Sequence, residues 1–369
     1  MKGKDSHVAN FSLDNEEKLL HELQFRDRVK SAEYHYSKRF VFDGRFLESL
    51  NSIVRKFCAL SKNFEFDSFK VGVSWPKGID EEEKELLRKS FQLELTNAVA
   101  LKLNKVKDFS DPDADFLIDF NKKAVFLRIK PVYVFGHYCK YSREIAQTEY
   151  FCNKCGGKGC WYCKGTGHFC RESVEQLLSK ILVPAFRAKL MILHGAGRED
   201  MDVLMLGSGR PFVVEILVPK KRMVNLRKLE EIINEKYEGK MSVAKLRFAS
   251  SGEVRLVKDS LHDKVYEAFI VCDSIFDLSR IKLNEKICII QSTPARVVRR
   301  RADLERRKEV IVERVKRISK REFTIRLRAS HGTYIKEFIS GDSGRTNPSI
   351  SSILGVNCSC VLLDVVEIL

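Results

Sequence analysis

Two segments of the chain carry residue types whose spacing could do chemistry. The first is Cys152-Asn-Lys-Cys155-Gly-Gly-Lys-Gly-Cys160-Trp-Tyr-Cys163, two C-x-x-C pairs separated by four residues. A C-x-x-C turn presents two thiolates to one tetrahedral ion, and two such turns complete a four-thiolate shell. The intervening glycines permit the sharp reversals that so close a spacing demands. A disulfide or redox pair is the alternative; a chain that stays in a reducing compartment disfavours it. An iron–sulfur cluster is a further alternative, although its usual spacings differ from this one. Structural zinc on Cys152, Cys155, Cys160 and Cys163 is the expectation. A site saturated by four cysteines leaves no open position for water, so the metal should hold structure and perform no chemistry. Cys170 breaks the pairing and is read as a bystander.

The second segment is Gly195-Ala-Gly-Arg198-Glu-Asp200-Met-Asp202-Val203, which runs between two apolar stretches and leads to Gly207-Ser-Gly209-Arg210-Pro211. A glycine-rich loop with Arg-x-Asp on it offers a carboxylate and a cation at the mouth of a sheet. A surface turn with a solvated Arg and Asp would read the same way, so the turn alone decides nothing. Gly207-x-Gly209 is no nucleotide-binding fingerprint, because the third glycine and the following helix are absent.

The elements that must position these groups divide into two parts. Apolar residues at helical spacing in the first sixty positions (Leu19, Leu20, Leu23, then Phe46, Leu47, Leu50, Ile53, Val54) predict helices over 1–60. A small α/β unit follows over 61–150. It has a strand at 69–73, a long helix opening at Asp80 and running to 103, and strands at 115–120 and 124–134 around a tight turn at Asn121-Lys122-Lys123. The cysteine block, 151–170, marks a boundary. Ser173-Val-Glu-Gln176 has the form of a capping box and opens a helix to about 188. From there to 369 the pattern is strand-rich: 189–194, 202–206, 211–218, 242–248, 265–272, 286–290, 309–317, 323–328 and 360–366. Helices at 220–237 and 334–339 interrupt it. Many strands joined by short turns predict an α+β domain on a largely antiparallel sheet.

Charge follows the same division. Residues 1–150 hold 26 Lys/Arg against 24 Asp/Glu, and residues 151–369 hold 40 against 26, so the second part carries +14 of the formal +16. An excess confined to one part suggests a polyanion footprint there. The densest piece runs from Arg296 to Arg328, with fourteen Lys/Arg and five Asp/Glu. It reads as a hairpin with one charged face that binds phosphates without reading sequence. No apolar run approaches the roughly 20 residues of a membrane span. No secretory signal is legible at the start, and a soluble intracellular protein is expected.

On these residues a resemblance can be stated. Arg198-Glu-Asp200 looks like the Arg-x-Asp of pseudouridine synthases. The string Gly197-Arg-Glu-Asp-Met-Asp-Val203 followed by Gly209-Arg-Pro-Phe212 resembles one family, the archaeal and eukaryotic tRNA pseudouridine-54/55 synthases. Lys264-Val-Tyr266-Glu-Ala268 is similar to that family's second motif, and Gln291-Ser-Thr-Pro-Ala-Arg-Val297 with Arg299-Arg-Arg-Ala-Asp303 to the segment after it. Gly332-Thr-Tyr334-Ile-Lys336 through Gly341-Asp-Ser-Gly-Arg345-Thr-Asn-Pro348 resembles the third. The cysteine knuckle with Ser173-Val-Glu, and the run 113–141 leading to Gln147-Thr148, are similar to archaeal members, whose N-terminal part is a THUMP-type RNA-binding domain. The likeness covers residue 65 to the end, and the first sixty residues stay unassigned.

The resemblance implies a pseudouridine synthase fold and an enzyme that isomerises uridine 54, uridine 55 or both in the TΨC arm of tRNA, without redox or organic cofactor. Asp200 would be the obligatory carboxylate, acting as nucleophile at the sugar carbon or as base on the sugar. Lys336 would be the cation beside it, and Tyr266 the aromatic face and proton relay for the flipped base. Arg198, Arg210, Tyr334 and Arg345 are the candidate substrate-binding residues, with Val203, Leu204 and Phe212 walling the site. The expected partner is tRNA, with no membrane, and the chain would work as a monomer. The compartment would be the cytoplasm in an archaeon and the nucleus or cytoplasm in a eukaryote. A non-catalytic tRNA-binding or chaperone protein that kept the fold is the alternative; the intact Asp200, Tyr266 and Lys336 set speaks against it.

Overall fold

The computed structural model describes residues 36–41, 50–122, 124–149, 151–152, 154–168, 172–298 and 302–369. The expectations placed on Leu19 to Leu23, Phe46, Leu47, Lys123, Cys170 and Arg299 to Arg301 lie outside the described residues.

Two sheets organise the described residues. The smaller has five strands in the order β1-β5-β4-β2-β3: β1 Tyr36–Val41, β2 Ser68–Ser74, β3 Val106–Lys107, β4 Ala114–Asp119 and β5 Ala124–Ile129. β1 pairs antiparallel with β5, so this part of the first sixty residues is a strand where a helix is expected. Its partner lies some ninety residues away, beyond the reach of local periodicity. Helix α1, Leu50–Ser61, follows the expected spacing and buries Ile53, Val54, Phe57 and Leu60. The long helix begins as read. Asp80 caps it by accepting from the Glu83 amide at 2.8 Å, and α2 Glu81–Leu87 continues through a π turn into α3 Leu93–Leu103. Phe57, Phe69, Phe116 and Leu95 fill the space between helices and sheet.

The expected strand 124–134 is two strands in two sheets. Pro131 has no N–H to donate to a ladder. The chain leaves the small sheet after Ile129 and enters the large one as β6, Val132–Lys140. β6 pairs with β8, Val203–Leu217, and β9, Met241–Ala249. Residues 132–140 therefore sit in the second sheet, and the boundary expected at 150 does not separate the two layers.

The large sheet adds β7 Leu190–Gly195, β10 Lys264–Cys272, β11 Lys286–Ser292, β12 Glu305–Arg317, β13 Glu322–Ala329, β14 Thr346–Asn347 and β15 Cys358–Ile368. Its order is β14-β11-β12-β13-β10-β15-β8-β6-β9, with β7 on β8. Every pairing is antiparallel except β15 with β8, so the expected mixed fold on a largely antiparallel sheet is what forms. Five helices accompany it: α4 Val174–Ala185, α5 Leu226–Lys236, α6 Ser251–Asp259, α7 Ile335–Ser340 and α8 Ile350–Leu354. Ser173 caps α4, its hydroxyl accepting from the Gln176 amide at 3.1 Å.

The two strands expected at 202–206 and 211–218 are one bent strand. β8 runs parallel to β15 over Val203–Met205 and antiparallel to β6 at Met205 and again over Arg210–Ile216, with a register shift between the two. Gly207 makes the bend with φ +63°, and a Cβ there would lie 2.1 Å from the Val366 carbonyl oxygen, so only glycine fits.

Candidate active site and metal centre

The loop 196–202 crosses from β7 to β8 and carries Arg198 and Asp200. Successive residues point to opposite sides, so Arg198 is exposed, Asp200 keeps 40% of its side-chain surface, and Glu199 between them turns inward. Glu199 accepts from the Tyr138 hydroxyl at 2.8 and 3.0 Å, and its Oε2 pairs with Arg210 Nε at 2.8 Å. Both charged side chains are 1% exposed. Buried charges persist only when paired and hydrogen-bonded, and here the partners also grip the loop. Arg210 Nη1 donates to the Ala196 carbonyl at 2.6 Å, and Gln147 Nε2 donates to the Gly197 carbonyl at 3.0 Å and to Tyr138 Oη at 2.8 Å.

The far end of the loop is held from the same direction. Lys140 Nζ donates to the Met201 carbonyl at 2.7 Å, and Arg143 Nη1 to the Asp202 carbonyl at 2.8 Å. β6 and the segment after it thus fix the backbone on which Asp200 stands. Arg210 lies beneath the loop, not at its mouth. That corrects the expectation that it binds substrate. Val203 and Phe212 belong to the main core and do not wall an opening.

Two cations converge on Asp200. Arg296 Nη1 lies 3.3 and 3.2 Å from Oδ1 and Oδ2, and Lys336 Nζ lies 3.5 Å from Oδ2. The lysine's shorter contacts are to Asp202, at 2.8 and 2.7 Å. Burial pushes the Asp202 carboxyl up, and the hydrogen bond and charge of Lys336 outweigh it, leaving the group below its ordinary pKa. Arg296 is the residue sequence reasoning missed. Its segment, 291–297, carries the family likeness without marking which residue acts, and the arginine after Pro294-Ala295 is the signal in it.

The third motif places Arg296. Arg345 donates to the Thr293 carbonyl through Nε at 3.0 Å and Nη2 at 2.8 Å, and pairs with Asp303. Asp342 accepts from the Ala295 amide at 2.9 Å, and Arg296 Nε donates to the buried Glu337 at 2.7 Å. Gln291 brackets Tyr334, accepting from its amide at 2.8 Å and donating to its carbonyl at 3.0 Å, at the start of α7. Arg345 therefore serves the loop that bears Arg296, and Lys336, in the first turn of α7, reaches the aspartates.

Tyr266 stands on β10, partly buried against the core. Burial pushes its phenol up to about 12, with Arg210 pulling it down and Glu199 up. Lys264, two residues earlier on the same face, is 7% exposed, and its Nζ lies 3.9 Å from where a Cβ on Gly197 would stand. Burial, with Arg210 adding repulsion, brings Lys264 down to about 8.

The four cysteine sulfurs lie within 4.8 Å of one another. Three of the sulfur–sulfur distances are 3.9, 3.8 and 3.7 Å. A tetrahedron with metal–sulfur bonds of about 2.3 Å has edges of roughly 3.8 Å, so the thiolates fit a tetrahedral ion. Amides of Cys160 and Gly167 donate to Cys163 Sγ at 3.1 and 3.2 Å, the hydrogen bonds a coordinating thiolate needs. A Cβ on Gly167 would lie 2.3 Å from the Gly157 carbonyl oxygen, so glycine lets the two halves close on each other.

The profile of a family described as "Pus10, C-terminal" matches residues 133–369, which begin within β6 and take in the loop, both cations and Tyr266. The chain belongs to the Pus10 family. Its relatives in that family include a tRNA pseudouridine synthase Pus10 of Methanocaldococcus jannaschii, 39% identical over 332 residues, covering 87% of this chain and 73% of the relative. The Pus10 of Korarchaeum cryptofilum is 36% identical over 342 residues, covering 89% and 92%. That of Archaeoglobus fulgidus is 37% identical over 336 residues, covering 87% and 91%. The Pus10 match starting at 133 agrees with the sheet, where β6 is the strand that holds the loop. Among the described residues no helix is long and apolar enough to cross a membrane.

Proposed function

We propose that the chain is a tRNA pseudouridine synthase that isomerises uridine 54, uridine 55 or both, with Asp200 as its catalytic carboxylate. One observation carries this reading. Asp200 stands half-open on a rigid loop between Arg296 and Lys336, in a chain whose family relatives bear that enzyme's name.

The isomerisation breaks the N1–C1′ bond, turns the base and forms a C5–C1′ bond. The C5 proton leaves, N1 gains a proton, and nothing is oxidised or reduced. Asp200 attacks C1′ or takes a proton from the sugar; either role uses the same placed carboxylate. Arg296 and Lys336 supply positive potential where charge shifts during glycosidic cleavage, fixed in advance by Glu337 and Asp202. Tyr266 keeps its proton at neutral pH, so it offers a stacking face and a donor to the flipped base. Arg198, exposed beside Asp200, fills the vacated stack or meets a phosphate.

The four cysteines would hold zinc, which supplies no reactive group and fixes the knuckle. The unit expected over 61–150, less β6, which joins the large sheet, would be the THUMP-like RNA-binding part, and the basic strands β12 and β13 would meet the tRNA backbone. The test is tritium release from a tRNA transcript carrying 5-tritiated uridine, because the C5 hydrogen is lost in every turnover. The wild type should release it and Asp200→Ala should release none while still binding tRNA. Equal release from both would remove Asp200 from the chemistry.

A further inference from the structure

Trp161 is the most exposed large apolar side chain among the described residues, at 86%. Scattered exposed hydrophobics are ordinary, so exposure alone says little. Its setting says more. Trp161 and Tyr162 occupy the two variable positions of the second C-x-x-C pair, between Cys160 and Cys163. Their turn is closed by hydrogen bonds from the Lys164 amide to the Trp161 carbonyl at 3.3 Å and from the Gly165 amide to the Cys160 carbonyl at 2.8 Å. The two rings meet edge to face, centroids 5.8 Å apart, which leaves the indole face open.

The turn is also fastened to the enzyme. The Cys152 amide donates to the Gly167 carbonyl at 2.7 Å, and Phe151 and His168 form an antiparallel bridge. His168 Nδ1 lies 3.0 Å from Glu149, whose carboxylate also accepts from Gln176 in the first turn of α4 at 2.8 Å. Within the knuckle itself the charge has one sign, and Glu149 at its base is engaged by His168 and Gln176. Lys154, Lys158 and Lys164 are exposed, and no Asp or Glu occurs from 150 to 170.

We propose that the knuckle is a stacking platform for an unpaired nucleobase of the RNA substrate. Trp161 would supply the face, and Lys154, Lys158 and Lys164 would meet the flanking phosphates. A flat aromatic with adjacent cations suits a splayed base, since every base has a π-face and the phosphates follow it. A duplex, whose bases are already stacked, would gain only the charge. A turn held by metal ligands loses little freedom on binding, so most of the stacking energy appears as affinity. The proposal rests on RNA being the substrate and adds a contact outside the Asp200 site.

Fluorescence reads it directly. The chain has two tryptophans, and Trp75 is 9% exposed and stacked on Phe120. Acrylamide-quenchable emission therefore reports Trp161. Unmodified tRNA transcript should quench that emission and shield it from acrylamide in the full wild-type chain, while a blunt RNA duplex of equal length should do neither. Trp161→Ala should weaken tRNA binding by about 5- to 150-fold, the range of one lost base–aromatic stack. Trp161→Phe should recover most of it. Metal content and melting temperature, checked in both variants, should match the wild type.

Binding by Trp161→Ala within twofold of wild type, or equal quenching by the duplex, would overturn the proposal. Failure of the enzymatic reading would look different: quenching by tRNA would persist while wild type and Asp200→Ala alike release no tritium. No tRNA binding by the wild-type chain would overturn both.

Discussion

Glu199→Ala is the perturbation that asks most of the structure. Glu199 and Arg210 are both 1% exposed and 2.8 Å apart, and the same carboxylate takes the Tyr138 hydroxyl. Deleting one partner of such a buried pair typically costs about 3–5 kcal/mol, because the other charge is left without compensation. In a domain of this size, where each kcal/mol moves the midpoint by about 2–4 °C, that lowers the melting temperature by roughly 6–20 °C. The double variant Glu199→Met/Arg210→Met removes both charges and fills the space. It should recover at least about 2 kcal/mol of the loss. It should not recover tritium release, since Arg210 no longer holds the Ala196 carbonyl and the loop under Asp200 is loosened. Urea unfolding gives the stability cycle and tritium release the activity. A single variant that melts within 2 °C of wild type, or a double variant no more stable than the single, would refute the claim that this pair sets the loop.

The cation beside Asp200 that closes on both carboxylate oxygens is Arg296, so Arg296→Ala should cut kcat by about 10²-fold, the usual loss for one preorganised charge-stabilising group, measured at saturating tRNA. Lys264 should make stability rise between pH 8 and 10.5. Burial holds it at about 8 when folded, so in that window the unfolded chain binds the extra proton and raising the pH removes the cost of a buried charge. Lys264→Met should therefore flatten the dependence of unfolding free energy on pH by up to about 1 kcal/mol per unit, read by urea titration at pH 8, 9 and 10. One metal ion per chain should be found on the four cysteines. Chelation should open 151–168 to proteolysis while β6 to β15 stay folded, and simultaneous melting of the large sheet would contradict it.

How much of this was legible depended on distance along the chain. The cysteine knuckle, the capped helix at Ser173 and the loop bearing Asp200 are local patterns, and each is where its residues place it. The Asp80 cap and the α1 spacing are local too. What stayed hidden was set by pairing across long separations. Tyr36–Val41 becomes a strand through β5, and Val132–Lys140 leaves the small unit because β8 and β9 lie ready for it. Arg210 reads as a ligand next to a glycine turn, and only its meeting with Glu199 shows it to be a support. The motif pairs Lys336 with Asp200, whereas the folded chain divides it between Asp200 and Asp202. Two further signals are local. Pro131 marks the exchange between sheets, and Ser250-Ser-Gly-Glu253 is a capping box that opens α6.

Asp200 and Asp202 both lie on Lys336, and only Asp200 is also held by Arg296. Mapping pseudouridine at single-nucleotide resolution in unmodified tRNA, after incubation with wild type, Asp200→Ala and Asp202→Ala, therefore tests the central assignment most directly. The account predicts pseudouridine at position 54, 55 or both with wild type, slower formation at the same positions with Asp202→Ala, and none with Asp200→Ala. Pseudouridine formed by Asp200→Ala and abolished by Asp202→Ala would contradict it.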